Sequence, residues 1–276
     1  MIEKILLADS GAGQVEKMLK NLMEVPSIQR AFVTVLHVVA PQTTAEEMQS
    51  CWEEGGKLLA QAIQSLNLDP GRTNAILRQG EPKATVCQVA EELDTDLIIM
   101  GSRGLKRLQS ILENSVSQYV FQLSSRPLLL VKDDIYVKHL NRIMVAMDNS
   151  PSSLHCLRLA LYLLRDIKGG QLLLTHINPP TGTTNPDSDP VLARAIAEAK
   201  KYHVSYRCAF GSGKVGSEIC RLSEELNADL LIIGSPDRRP SIAKGMPDLD
   251  RLLGASISDY VRIQANCPVL LARTSS

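Results

Sequence analysis

The chain has 276 residues, 44% of them hydrophobic, and its 30 Lys+Arg balance 30 Asp+Glu. That length and apolar content suit two ordinary cores rather than one. A balanced charge without a clustered basic face argues against a nucleic-acid binder, and no apolar run approaches the roughly eighteen residues a membrane span needs.

From the amino terminus, short aliphatic runs alternate with longer amphipathic stretches, the pattern of parallel strands joined by helical crossovers. Strands are predicted over 4–8, 31–39, 73–77, 97–100 and 128–131, with helices over 14–23, 45–66, 83–93 and 116–123, where apolar residues return every three or four positions. The same order then recurs: strands over 142–147, 171–177, 205–209, 230–233 and 269–272, and helices over 152–165, 191–203, 215–226 and 257–264. The segment 179–190, rich in Pro, Thr, Asp and Gly, reads as a mobile loop.

Particular residues fix the repeat. Asp9/Asp148 and His37/His176 lie 139 positions apart, Asp96/Asp229 and Gly101/Gly234 lie 133 apart, and Ser115/Ser256, Tyr119/Tyr260 and Pro127/Pro268 lie 141 apart. The second half is therefore six residues shorter before Asp229 (139 − 133) and eight longer between Gly234 and Ser256 (141 − 133). These observations predict an α/β chain with domains at 1–135 and 139–276, each a parallel sheet covered by helices on both faces. The connector is short, so a packed pseudo-twofold pair is expected rather than beads on a string. Cut at residue 137, the first half holds 13 Lys+Arg against 17 Asp+Glu and the second 17 against 13. That asymmetry favours docking of the halves, although charges this weak are usually solvated surface. Either last strand is also a natural edge for pairing two halves or two chains, so a homodimer stays open.

Six cysteines are scattered without a C-x-x-C pair or metal-ligand spacing. They read as small packing residues in a reduced compartment. The first strand begins at once, with no basic region or cleavage site before it. A soluble, cytoplasmic, unprocessed protein with no membrane partner is expected.

Ligands of open α/β sheets sit outside the carboxyl ends of the strands, where crossovers diverge. Asp9-Ser10-Gly11, Val38-Val39-Ala40-Pro41 and Met100-Gly101-Ser102-Arg103-Gly104 converge there. Glycines at 101 and 104 allow a sharp turn and close backbone approach. Asn114-Ser115-Val116-Ser117 opens a helix with good capping residues, whose orphan N–H groups and positive dipole end suit a phosphate chain. Arg103, Lys106 and Arg107 add charge along the loop. The plainer explanation is that a strand-to-helix turn needs a glycine and a cap in any case.

At these motifs the chain resembles a tandem universal stress protein. The likeness is carried by "ILLADS" and "IMVAMDNS", "VLHVVAP" and "LTHINPP", "DLIIMGSRG" and "DLLIIGS", and "RPLLLV" and "CPVLLA". The resemblance implies two doubly wound five-stranded domains of the adenine-nucleotide α-hydrolase-like kind, strand order 3-2-1-4-5. It also supplies a nucleotide signature, G-x2-G-x9-G-[ST], which Gly101, Gly104 and Asn114-Ser115 match except at the third glycine. Asn is the residue that best tolerates left-handed angles after Gly. By this resemblance Ala8, Asp9 and Val38 meet the adenine and ribose, with Val38 offering backbone groups to the base. The phosphates fall to Gly101, Arg103, Gly104, Asn114, Ser115 and Ser117, and Met100 and Val116 line the pocket. The implied ligand is ATP, ADP or AMP, with Mg²⁺ at Asp9 as an option.

In the second half, Pro236-Asp237 replaces Arg103-Gly104, and Ala255-Ser256 replaces the last pair. Asp148, Ile177, Gly234, Ser256 and Ser258 remain as candidates for a second nucleotide site. The longer stretch 235–250, with Arg238, Arg239 and Lys244, reads as a lid, a docking segment or a tolerated surface insertion.

Three functions from different classes fit. A non-enzymatic, nucleotide-responsive stress or signalling protein with an unknown protein partner is favoured, because the loop offers a phosphate cradle without an obvious group to activate water. A slow ATPase would need a base and usually a metal ligand. A scaffold, or a binder of an apolar ligand, predicts no nucleotide in either half. His37 and His176 sit among aliphatics and read as core or strand-end residues rather than catalysts. Cys87 and Cys220 read as packing, Tyr119 and Tyr260 as core, and Trp52 as packing or interface.

Overall fold

The computed structural model describes residues 1–10, 14–102, 116–132, 135, 137, 139–180, 182–183, 185–236 and 256–274. The chain divides into two units, one of Met1–Glu24 and Ile28–Tyr136, the other of Val25–Ser27 and Val137–Ser276.

In the first unit the described elements are β1 (Lys4–Ala8), α1 (Gln14–Met23), β2 (Phe32–Val39), α2 (Ala45–Leu66), β3 (Thr73–Gln79), α3 (Pro82–Glu92), β4 (Leu97–Ser102), α4 (Val116–Leu123) and β5 (Leu128–Lys132). All strand pairs are parallel and the order is β3-β2-β1-β4-β5. Helix α1 packs on α2 and on β1, β4 and β5, whereas α3 packs on α4, which lies against β4. The first two crossovers thus cover one face and the last two the other, and the direction of winding reverses between β1 and β4. With both faces covered, the central strands are apolar at successive positions rather than alternately. Leu6, Leu7, Leu97, Ile98 and Ile99 are fully buried, each contributing about 1.5–3 kcal/mol.

The second unit repeats the arrangement with β6 (Arg142–Met147), α5 (Pro151–Leu164), β7 (Gln171–Ile177), α6 (Pro190–Lys201), β8 (Ser205–Gly211), α7 (Val215–Glu225), β9 (Leu230–Pro236), α8 (Ile257–Gln264) and β10 (Val269–Thr274). Its strand order is β10-β9-β6-β7-β8, again all parallel. Strands β4 and β9 run two and three residues further than the aliphatic runs suggest, because the last strand of each unit supplies further rungs at Ser102↔Lys132 and at Ser235↔Arg273 and Pro236↔Thr274. From Asn185 on, the segment expected to be a mobile loop is structured: a 3-10 turn spans Pro186–Ser188 and Asp189 caps α6.

The recurring Asp96 and Asp229 are explained by the opposite end of the sheet. Asp96 Oδ2 accepts the N–H groups of Glu3 (2.8 Å) and Lys4 (2.9 Å). Asp229 Oδ2 does the same for Asn141 (3.1 Å) and Arg142 (2.7 Å). Each carboxylate ties the amino end of one strand to its neighbour, far from any ligand crevice.

Candidate functional site

The reversal between β1 and β4 brings Ala8, Asp9, Val38, Met100 and Gly101 of the predicted first-unit residues to one edge. Ala8 is registered with Leu36 on β2 and with Met100 on β4, so Asp9 follows between the ends of those two strands. Asp9 is buried, at 7% exposure. Its N–H donates to Leu36 O (3.0 Å), and its carbonyl accepts from His37 Nδ1 (2.9 Å). A carbonyl can only accept, so Nδ1 carries the proton. His37 takes a strand-end role, with its ring under α2; a Cβ on Gly55 would come within 3.1 Å of its Cδ2.

Val38 is half-buried at the end of β2. Leu36 turns its carbonyl to β1 and Val39 accepts from Gly80 N–H on the β3 side. Alternation along a parallel strand therefore turns the peptide groups of Val38 toward β1, beyond the last rung of that ladder. Met100 is buried at 5% exposure and Gly101 half-buried on β4. The bare side of Gly101 is faced by α1: a Cβ there would lie 3.1 Å from Val15 Cγ2. Close helix packing is thus a reason for this glycine that the sequence did not show. Val116 opens α4 half-buried and Ser117 follows it, buried at 4%. Arg103, Gly104, Asn114 and Ser115 lie outside the described residues. Among the described residues, no group of three or more His, Cys, Asp and Glu side chains is placed to hold a metal ion.

The second-unit crevice is built differently. Pairing of β6 with β9 stops at Val145↔Ile232, and α5 closes on the gap. A Cβ on Gly234 would overlap Ser152 Oγ. Asp148, exposed where Asp9 is buried, is locked locally. Its Oδ1 accepts Ser150 N–H (2.8 Å) and the Ser150 hydroxyl, and its carbonyl accepts Ser153 Oγ (2.8 Å). Burial pushes the Asp148 carboxyl up, but the hydrogen bonds from Ser150 and Ser153 and the nearby His176 prevail and hold it below the usual carboxylate range.

Ile177 ends β7 half-buried, and Ser256 caps α8 by accepting Asp259 N–H (3.1 Å). Ser256 and Ser258 hydroxyls meet at 3.0 Å, and Ser258 donates to Ser235 Oγ at 3.5 Å. Arg273 Nη1 also donates to Ser235 Oγ (3.0 Å). Residues 237–250 of the insertion lie outside the described residues. Sequence reasoning missed Arg273. The signal was present, because Lys132 stands 141 positions before it (273 − 132) and both are buried, at 4% and 8% exposure.

Sequence reasoning also missed Asp189. This carboxylate is fully buried; Oδ1 accepts Val191 N–H (3.0 Å) and Leu192 N–H (2.8 Å), and Oδ2 pairs with His176 Nδ1 (2.9 Å). The histidine equivalent to His37 thus turns to a side chain rather than to the neighbouring strand's aspartate. Tyr260 differs from its core assignment as well. It is 41% exposed, packs against Gly216, and its hydroxyl accepts from Ser217 Oγ (3.2 Å).

The family model of the universal stress protein family matches residues 1–132 and again 139–273. The chain belongs to the universal stress protein family. It carries two domains of that family in tandem. A universal stress protein of Mycolicibacterium smegmatis is 23% identical over 270 residues, covering 90% of this chain and 89% of that protein. Universal stress protein YxiE of Bacillus subtilis is 28% identical over 148 residues, covering 48% of this chain and 100% of its own length. The crystal structure of a universal stress protein from Archaeoglobus fulgidus superposes with a TM-score of 0.74 at 21% identity, covering 98% of this chain and 96% of that one. At that identity the likeness speaks for the fold. Among the described residues, no helix is long and apolar enough to cross a membrane.

Proposed function

We propose that this universal stress protein is a non-enzymatic adenine-nucleotide binder of stress response or signalling, with ATP, ADP or AMP in the first-unit crevice altering how the chain meets a protein partner. The observation that carries the reading is a coincidence of pattern and place. Gly101, Gly104 and Asn114-Ser115 stand in the family's nucleotide spacing, and the described part of that stretch, the end of β4, lies at the reversal point, where Met100 is registered with Ala8 just before Asp9.

In this reading the buried Asp9 carboxylate accepts the ribose hydroxyls, and the Val38 N–H and C=O pair with the edge of the base. The phosphates take the amides of the loop and of the start of α4, helped by the helix dipole and by Arg103. Such a set binds and orients; none of the residues named for the phosphates, Gly101, Arg103, Gly104, Asn114, Ser115 and Ser117, is a general base. Asp9 is the residue we assign to Mg²⁺ if the phosphates bring one. Asp148, Ile177, Gly234, Ser256 and Ser258 form the candidate second site, with less room because α5 closes against Gly234.

Mass spectrometry of small molecules released when the purified chain is denatured tests the reading. Recovery of AMP, ADP or ATP is expected. An apolar ligand, or an empty chain that also fails to take up added nucleotide, would move the assignment to a scaffold or an apolar-ligand carrier. Rapid phosphate release that Asp9→Ala abolishes without loss of affinity would make the protein an ATPase.

A further inference from the structure

We infer that His37 is a positioning residue for the first-unit ligand: its imidazole, rather than the next rung of the sheet, fixes the backbone of Asp9 and so presents both the Asp9 carboxylate and the Val38 peptide groups to the crevice. The inference rests on the nucleotide reading above and concerns a residue that touches no ligand itself.

The geometry follows from ladder rules. In an uninterrupted parallel pair, the carbonyl of Asp9 would accept the amide two residues beyond Leu36, which is that of Val38. Registered pairing instead stops at Ala8↔Leu36, although Asp9 N–H still reaches Leu36 O at 3.0 Å. At the carbonyl the acceptor is met by His37 Nδ1 at 2.9 Å. Asp9 is thereby held on both its N–H and its C=O side by β2 while lying outside the strand. The amide of Val38, freed from its ordinary role in closing the ladder, faces the space beyond β1. A substitute donor is what permits this; without the imidazole, Asp9 would lose the bond that holds its carbonyl while the Val38 amide stays turned outward.

The imidazole is itself confined. Gly55 gives α2 a bare patch above the ring, where an added Cβ would meet His37 Cδ2 at 3.1 Å, Leu77 Cδ1 at 2.9 Å and Val39 Cγ2 at 3.1 Å. Of the two nitrogens, Nδ1 is thus directed to Asp9 by packing as well as by the bond. The second unit shows the alternative use of the same residue. There Asp189 takes His176 Nδ1 at 2.9 Å, and the Asp148 carbonyl is served by Ser153 Oγ at 2.8 Å instead. A histidine recurring at one place in both repeats therefore does two jobs, and the crevice-facing one belongs to the first unit alone.

The test is ATP titration calorimetry on the full-length chain with His37→Leu, His37→Asn and His176→Leu, each with a thermal melt of the nucleotide-free protein. Asn places a side-chain N–H near the position of Nδ1. Affinity is expected to fall at least tenfold in His37→Leu, to return to within about threefold of wild type in His37→Asn, and to be unchanged in His176→Leu. Equal affinity in wild type and His37→Leu overturns the inference, as does failure of His37→Asn to rescue despite a wild-type melt. Absence of binding in wild type would instead strike the nucleotide reading. Should His37→Leu not fold, ¹⁵N NMR of wild-type histidine decides: a proton on Nδ1 of His37 is required, and a neutral ring protonated at Nε2 alone overturns the inference.

Discussion

Replacing Asp189 with alanine should cost the second unit about 3–5 kcal/mol, the range for removing one partner of a buried pair. Three losses contribute. The N-cap of the twelve-residue α6 loses the acceptor for Val191 and Leu192 N–H, worth about 0.5–2 kcal/mol. A carboxylate leaves the positive end of the helix, worth about 0.3–1 kcal/mol. His176 Nδ1 is left without its acceptor in a site where Asp189 is 0% exposed and the imidazole 12%, at about 1–3 kcal/mol. Asp189→Asn keeps the capping oxygen and should cost less, about 1–2 kcal/mol, because only the contact with His176 must rearrange. Urea unfolding followed by far-UV circular dichroism measures both. With a slope of about 1–3 kcal/mol per molar urea, the alanine variant should shift its transition by more than about 1 M. Trp52, the single tryptophan, lies on α2 and reports the first unit separately. A cost below about 1 kcal/mol for Asp189→Ala would refute the reasoning, since neither the cap nor the histidine could then depend on that carboxylate.

Asp96→Ala should destabilise the first unit by about 1–3 kcal/mol through loss of two charge-assisted strand-end bonds, seen in a melt, while leaving nucleotide affinity unaltered because it acts at the amino ends of the strands. Gly234→Ala should cost about 1–3 kcal/mol from overpacking, since its Cβ would overlap Ser152 Oγ and lie 2.9 Å from Ser152 Cβ. Adding Ser152→Gly should recover most of that loss, and an unrecovered double variant would place the strain elsewhere. Asp148 titrates below the usual range when folded, so its contribution to stability is complete above the unfolded value of about 3.9 and is lost as pH falls through the folded one. Ser150→Ala should raise its NMR titration midpoint, and an unmoved midpoint would remove Ser150 as the cause.

Much of the sheet was legible because burial on both faces writes strands as unbroken aliphatic runs, as in Leu97-Ile98-Ile99 and Leu172-Leu173-Leu174, all fully buried. The repeat marked equivalent positions, but it could not say which shared residues serve ligand and which serve the frame. Asp96 and Asp229 recur as strongly as Asp9 and Asp148, yet they tie strands together at the far end of the sheet. Asp189 was hidden because 179–190 has the composition of a loop, and its burial depends on how α6 meets β7. Ser152 against Gly234 is likewise a contact between segments distant in sequence. Helical spacing alone put Tyr260 in the core, whereas α8 turns that position outward beside α7.

Calorimetric titration of ATP, ADP and AMP into the full-length chain and into Gly104→Val addresses the nucleotide assignment most directly. The account predicts binding to wild type and at least tenfold weaker binding, about 1.4 kcal/mol, when the β-branched side chain blocks backbone approach to the phosphates. Equal binding by both proteins, or heat from neither, would contradict it.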